Sequence, residues 1–579
     1  MATMRVARGL GTVPLLALLL TGCESLDVTN PNDPDRERAL ADPSAIEAVA
    51  AGTLRSWFNT YIGAEATGVL STQAQTYSSS WNNHNMNFYS GIDNPPPPTG
   101  TETNPSNWNR NSRPWQNDPS AAGRTSVEWF WSGGDISGPV VPGFYGTLSS
   151  ANDALRAIRT ENVVINTAAD TKRAETIALL MQGAALSGLA LNYDKAYVVD
   201  ETTDLSTPAA IAALQYSDRK AVRDAAVAKL IEAMNLASAN TFTTPTAWTN
   251  GRSYNNTQIA RIAATMAALT LAYYPRTPAE NAGPQAQVDW NRVAQLASQG
   301  MSTGTAFDFV FVGDGCVSWC PDLLWWFNAI DAGRVHTRVA NLLDPATQRH
   351  PYPAGGNPRP NSPDKRLGDG SFGPSDTVFT KGFGTVPKTS NAGTDFAWSA
   401  VEVYRPARGQ YHQSNIAHIR HDLQGNQSPN GIWGGYGPLP VISATQNDLI
   451  WAEALLRRST PDPATAATLI DKTRVGRGGL PTAATAIGVV GSDADGPCTS
   501  TGVKQKDGTA CSLWSMLLYE KEIELLGLGA APFYERRRVP NGLLPGTPRE
   551  MPVPSKELGI KGEPLYTWGG TNPPNSPTP

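Results

Sequence analysis

Apolar residues recur at three- and four-residue intervals along much of this chain, and each such run predicts an amphipathic helix. The first opens at Asp42-Pro43, an N-cap residue followed by a proline at the first helical position, and its apolar stripe is Ile46, Val49, Ala50, Leu54 and Trp57/Phe58. Further stripes are Tyr145, Leu148, Ala151, Leu155 and Ile158, then Ile177, Met181, Ala184, Gly188 and Leu191. Val222, Ala226, Leu230, Ala233 and Ala237 form another, with Ser217 as the expected cap. Residues 257–274 (Ile259, Ile262, Met266, Leu269, Tyr273) and 289–300 (Trp290, Val293, Leu296) continue the series. Helices return at 446–458, at 464–476 after Asp462-Pro463, and at 513–527. Ala and Gly are frequent on these helices and permit close antiparallel packing. The pattern predicts a mostly α protein, an α-solenoid of tetratricopeptide-like helix hairpins. The spacings are irregular, and no literal repeat consensus can be read.

Two stretches break the pattern. Residues 76–135 hold Trp81, Trp108, Trp115, Trp129 and Trp131 among Asn, Ser and Pro, with four prolines at 95–98 and no surviving helical or strand period. Residues 301–445 are also loop-rich and hold Trp325, Trp326, Trp398 and Trp433. The expected organisation is a leader (1–22), a polar tether (23–41), an N-terminal helical region (42–300) carrying the first insertion, a second insertion (301–445), and a C-terminal helical region with a Pro-rich tail (446–579).

The start of the chain decides where this frame works. Arg5 and Arg8 precede the apolar run Val13–Leu20, and Leu20-Thr21-Gly22-Cys23 follows it, with no acidic residue before Cys23. This is a secretory leader, too short to remain as a membrane span. Its ending resembles a bacterial lipoprotein cleavage site, which makes Cys23 the acylated N-terminus; the alternative is an ordinary secreted protein with a chance cysteine. No later apolar run is expected to reach the roughly 20 residues a span needs, so attachment rests on lipid at Cys23, and stable anchoring takes more than one acyl chain such as palmitate.

Composition narrows the partners. Charged residues are 17% of the 579 and the formal charge is −5, a balance that argues against nucleic acid. Gly (53) and Pro (46) are abundant, in keeping with ordered loop around a core. Besides Cys23, the cysteines form two local pairs, Cys316/Cys320 and Cys498/Cys511. In an exported chain an even count points to two disulfides, with a shared zinc site as the competing use if the fold joined the pairs.

Several short motifs then fall in a familiar order. Leu26-Asp-Val-Thr-Asn-Pro31 follows Cys23; Gly143-Phe-Tyr-Gly-Thr-Leu-Ser-Ser-Ala-Asn152-Asp-Ala-Leu155 comes next. They are followed by Asn447-Asp-Leu-Ile-Trp-Ala-Glu453-Ala-Leu455 and Leu469-Ile-Asp-Lys-Thr-Arg474-Val-Gly-Arg-Gly-Gly-Leu480. Leu517-Leu-Tyr-Glu520-Lys-Glu522-Ile-Glu524-Leu525 and Pro552-Val-Pro-Ser-Lys-Glu557-Leu558 close the set. In these motifs the chain resembles the SusD/RagB family of nutrient-binding outer-membrane lipoproteins over essentially its whole mature length. One departure is that Gly527–Tyr534 lacks the arginine usual in the family's Gly-rich turn, leaving only Glu535-Arg536-Arg537-Arg538. The resemblance implies four tetratricopeptide-like hairpins and a place on the outer face of the outer membrane. It also implies a SusC-like TonB-dependent barrel as partner, with oligosaccharides, less often peptides, captured without reaction and without a cofactor. A lipid-anchored helical scaffold for protein partners is the alternative role.

A sugar binder needs flat rings for the C–H faces of the sugar and short polar groups for its hydroxyls. Tyr77, Trp81, Asn82, Asn83, Asn85, Tyr89, Trp108, Asn109 and Trp115 supply both, and Trp325, Trp326 and Trp398 complete an arc from the second insertion. The expected ligand contacts are Trp81, Asn82, Trp108, Trp115, Trp325, Trp326 and Trp398; the competing use of these tryptophans is a mini-core beneath the loops. An open site of this kind binds at micromolar to millimolar Kd, roughly 4–8 kcal/mol.

Enzymatic readings fit less well. Glu520 and Glu524 lie one helical turn apart, as paired carboxylates do in glycosidases. With Glu522, Lys521 and Arg536–Arg538 nearby, they read better as a structural ion-pair network, and Glu453 as a structural acid. His412, His418, His421 and Asp422 have metal-like spacing without the glutamate of an H-E-x-x-H motif. Asp493-Ala-Asp495-Gly496 reads as an Asx-type turn rather than a calcium loop. Walker A and G-x-S-x-G motifs are absent from the sequence.

Overall fold

A computed structural model describes residues 42–79, 124–135, 140–302, 304–328, 333–350, 357–367, 393–398, 412–421, 435–505, 507–544 and 547–566, with Met86, Trp115 and the short strands at 379–381 and 384–386. Nine helices carry the frame: α1 (Pro43–Tyr61), α2 (Gly143–Arg159), α3 (Ala168–Asn192), α4 (Arg219–Ala239), α5 (Asn256–Tyr273), α6 (Trp290–Ser298), α7 (Ala444–Arg457), α8 (Pro463–Arg474) and α9 (Leu513–Glu524). Each packs against the next, α1 on α2 through α8 on α9, and α1–α8 taken two at a time make four hairpins. The chain is mostly α, as its periodicity predicts.

Local chemistry sets the ends of these helices. The Asp42 carboxylate accepts from Ser44 N at 2.9 Å, and the Asp462 carboxylate from Thr465 N at 3.0 Å. Asn255 and Gln258 close a reciprocal capping box on α5. On α4 the cap is Asp218, accepting from Ala221 N at 2.8 Å, and not Ser217, which is drawn into a short antiparallel bridge with Ala196. Helix α9 stops at Glu524 rather than running to 527, because Gly527 (φ +78°) and Gly529 (φ +56°) turn the chain through the left-handed region.

Helix α3 is the axis of the N-terminal half. Nearly all of Ala174–Asn192 is buried, and the small residues set how close its neighbours come. A Cβ on Gly183 would stand 2.7 Å from Leu230 Cγ of α4, and one on Gly188 2.3 Å from Phe144 Cε2 of α2. This corrects one expectation: by length and composition (25 residues, mean hydropathy 1.4) α3 is apolar enough to cross a membrane. It is apolar all round because 89% of its most apolar stretch lies inside the protein.

Both insertions hold more structure than their pattern predicts. Within 76–135 there are a strand, β1 (Tyr77–Ser79), and a helix, Arg124–Ser132. Trp129, Phe130 and Trp131 are all buried: Trp129 Nε1 donates to Thr60 O at 2.9 Å, Phe130 stacks on Phe144 at 5.2 Å, and Trp131 packs on Tyr145 and Tyr193. Three consecutive large rings mask a helical period that backbone hydrogen bonding nonetheless satisfies. Residues 301–445 begin with β2 (Phe309–Asp314) and end with β6 (Tyr436–Ile442), which pair antiparallel from Asp314↔Tyr436 to Phe309↔Ile442. The insertion thus leaves and rejoins the frame at one two-stranded clasp. Just beyond β2, Cys316 is joined to Cys320, and Asn59 of α1 grips this turn through Nδ2–H to Ser318 O (2.9 Å) and Oδ1 to Cys320 N (3.0 Å). Cys498 is joined to Cys511 ahead of α9.

The C-terminal half is packed with charge. Arg366, from the second insertion, is fully buried and donates to Asp364 (2.8 Å), Glu520 (2.7 Å) and Glu524 (2.8 Å). Glu524 is also met by Arg420 at 2.8 Å and by Arg477. A second cluster joins Glu453 of α7 to Arg538 (2.5 Å), Arg457 (2.6 Å) and Lys521, with Glu535 closing it. Burial opposes ionisation of Glu453, yet Arg538, Lys521 and Arg457 hold its carboxyl well below the usual range.

Candidate binding face

A small platform gathers the ends of both insertions. β1 pairs antiparallel with β3 (Gly333–Val335), Tyr77 opposite Val335 and Ser79 opposite Gly333. On its other edge Val335 O accepts from Ser414 N at 3.1 Å and Ser414 Oγ at 2.7 Å. His336 N donates to Thr76 O (3.0 Å), and Thr337 N to His412 O (2.9 Å). β4 (Phe396–Trp398) pairs antiparallel with β5 (Ile416–His418). Ser79, Gly333, Trp398 and His412, all on this platform, are the described residues next to positions 80–85, 329–332 and 399–411.

Beneath it the side chains are buried and polar. Tyr77 stacks on Phe327 at 4.7 Å, and its hydroxyl shares a 2.7 Å hydrogen bond with His418 Nδ1. Burial raises the Tyr77 hydroxyl, and burial with Arg420 and Arg477 nearby lowers His418 to about 3, so both are neutral near pH 7. A second buried pair holds the helix Asp322–Asn328 against the π-helical turn Ala64–Gly68. The Asp322 carboxylate accepts from Ala64 N at 2.8 Å, from the Trp326 indole and from the Glu65 carboxyl. Burial, then the neighbouring Asp322 charge, raises Glu65 far above the ordinary carboxyl range; burial raises Asp322 as well. A proton held between them lets two acids sit in a place with little water.

The expected contact residues divide into three groups. Trp81, Asn82 and Trp108 lie outside the described residues, as do Asn83, Asn85, Tyr89, Asn109 and the lipid-site Cys23 with its leader. Trp115 is closed off from solvent at 1% exposure, which matches the mini-core use rather than a ligand face. Trp325 and Trp326 sit on the helix Asp322–Asn328; the Trp326 ring is half-buried against the core, and Trp398 on β4 is half-buried too. Tyr77 is an underpinning residue, not a surface one. Among the described residues no three His, Cys, Asp or Glu stand so as to hold a metal ion, and His418 is engaged by Tyr77. Glu520 and Glu524 are fully buried in ion pairs, an arrangement that fits scaffold and leaves no room for a sugar between them. Glu65 and Asp322 were not visible as a pair in the sequence, since 257 positions of chain separate them and no spacing rule joins them.

No protein-family model and no curated protein matches this chain. Solved structures do. A SusD-like carbohydrate binding protein from Bacteroides fragilis superposes with a TM-score of 0.51 at 11% identity, over 86% of each chain. The protein has the SusD-like fold. A laminarin binding SusD-like protein aligns at 13% identity with a TM-score of 0.46, covering 91% of this chain and 99% of its own. A structure with xylogluco-oligosaccharide aligns at 12% and 0.48, covering 85% and 82%. The fold assignment rests on the first of these. In this chain β1 of the first insertion meets β3, β4 and β5 of the second at the platform.

Proposed function

We propose that this protein is a lipid-anchored surface protein that captures oligosaccharides on the platform face and passes them, unreacted, to a SusC-like TonB-dependent outer-membrane barrel. The observation that carries the reading is the SusD-like fold combined with an aromatic and asparagine-rich insertion rooted on one face. The leader ending in Leu-Thr-Gly-Cys23 supports the anchor. Half-buried Trp326 and Trp398 offer ring faces there, and Asp322 orients the Trp326 indole from below. From the sequence we assign Trp81, Asn82, Trp108 and Trp325 as further ligand contacts.

A glycan array followed by calorimetry tests the capture step. Binding of at least one oligosaccharide class at micromolar to millimolar Kd is expected, and Trp326→Ala together with Trp398→Ala should weaken it by about tenfold or more, roughly 1.4 kcal/mol. Silence toward every glycan with retention of peptides would move the ligand class to peptides. Silence toward both would leave the scaffold role. Affinity purification from solubilised outer membrane should bring down a large β-barrel, and labelling with a palmitate analogue should be lost in Cys23→Ala.

A further inference from the structure

Three histidines meet where the platform joins the frame. The rings of His336, His350 and His412 lie 5.4 Å (336–350), 5.5 Å (336–412) and 5.8 Å (350–412) apart. His336 and His412 are buried at 3% and 1% exposure, and His350 is half-buried. Each holds a different piece of chain. His336 is the N-cap of the helix Thr337–Leu343, its Nδ1 accepting from Arg338 N at 3.0 Å. His412 takes a left-handed backbone (φ +59°) so that its carbonyl accepts from Thr337 N. His350 Nδ1 lies 2.9 Å from Thr337 Oγ1. Immediately beyond His350 and before His412 the chain runs into residues 351–356 and 399–411 of the second insertion.

We propose that His336, seated against His350 and His412, is an acid-operated latch, closed while its own ring is neutral, that keeps the helix Thr337–Leu343 in register with the platform and parts when that ring takes up a proton. The chemistry follows from the contacts. A protonated His336 has no lone pair on Nδ1, so the cap of the helix Thr337–Leu343 is lost and an N–H faces an N–H. The charged groups facing the cluster give no relief: Arg338 on the same helix and Arg536 on the helix Ala531–Arg537 are both cations, and Glu522 of α9 is already paired with the two of them. Burial first, then His350, His412, Arg338 and Arg536, hold His336 well below its ordinary value, so it is neutral near pH 7. The folded state therefore binds fewer protons than the unfolded one below about pH 6.5, and stability is present above that value and lost as pH falls through it.

The functional consequence, release of ligand in acid, rests on the platform being the binding face; the latch itself does not. Hydrogen exchange of the Thr337–Leu343 amides, on the full chain without ligand and corrected for the intrinsic pH dependence, reads it directly. Protection is expected to drop by about tenfold or more between pH 7.5 and pH 5. His336→Asn keeps a cap acceptor without a titrating ring, His412→Asn keeps a residue at ease in the left-handed region, and His350→Gln removes the remaining ring of the cluster. Combined, these should hold protection at pH 5 within about threefold of its pH 7.5 value. An unchanged wild-type profile, or the same acid loss in the triple variant, overturns the latch. Should the triple variant fail to fold by circular dichroism at pH 7.5, His336→Asn alone must reduce the acid loss, and failure to do so overturns it equally. A latch that opens in a protein that binds no glycan would refute the proposed ligand and leave the latch standing.

Discussion

The N-terminal and C-terminal halves of the frame use the same helix hairpins and hold them together by different means. Around α3 the contacts are Ala, Gly, Leu and Phe, and distance is set by the absence of a side chain at Gly183 and Gly188. Around α7–α9 the same space holds Arg366, Glu520, Glu524, Glu453, Lys521 and Arg538, all buried. An apolar seam tolerates error in proportion to volume. A buried ionic seam fails all at once, because removing one charge strands the others without water. The contrast teaches that a mostly α frame can join an insertion to its core by charge: Arg366 and Arg420 come from the second insertion, and their partners from α9.

The strongest break in this comparison is Arg366→Met. It leaves Asp364, Glu520 and Glu524 facing one another in a dry site, and about 3–5 kcal/mol of stability should be lost in denaturant unfolding. Gly188→Ala tests the apolar seam: forcing a Cβ against Phe144 should cost about 1–3 kcal/mol, and Phe144→Leu in the same chain should recover part of it. An equal or larger loss at Gly188 than at Arg366 would invert the comparison.

Proton exchange sharpens it further, because the two ends of the molecule should respond with opposite sign. Glu453, Glu522 and Glu524 have carboxyls held below the ordinary range, burial being outweighed by arginine and lysine neighbours. Their contribution is present above about pH 4.5 and lost as pH falls toward the depressed values, by about 1.4 kcal/mol for each tenfold change in proton affinity. Glu65 and Asp322 are raised, so that joint is firmest near pH 4 and loosens as pH rises through their elevated values. Hydrogen exchange of Leu513–Glu524 should quicken in acid, and that of Asp322–Asn328 in alkali, after intrinsic correction. Parallel behaviour of the two segments would remove the distinction. The smallest effect expected is at the cap of α4, where Asp218→Ala should cost about 0.5–2 kcal/mol and Ser217→Ala far less.

Much of the helical frame could be read directly. Ile177, Met181, Ala184, Gly188 and Leu191 mark α3 because a helix repeats every 3.6 residues, and Asp42-Pro43 and Asp462-Pro463 mark starts because a carboxylate there meets free N–H groups. Glu520, Glu522 and Glu524 could be read as a network but not given their partners. Arg366 lies 154 positions from Glu520, and nothing local ties the two together. The helix Arg124–Ser132 escaped because its apolar residues are consecutive rather than periodic.

The sequence by itself determined the capped helices and the pairing candidates among the cysteines, since each depends on neighbours within a turn or two of chain. Only the tertiary structure decided that Trp115 faces inward, that Glu65 shares a proton with Asp322, and that three histidines 76 positions apart at their extremes touch. Those outcomes depend on which surfaces exclude water, and that is settled when distant segments close on one another, not by the order of residues within any one of them.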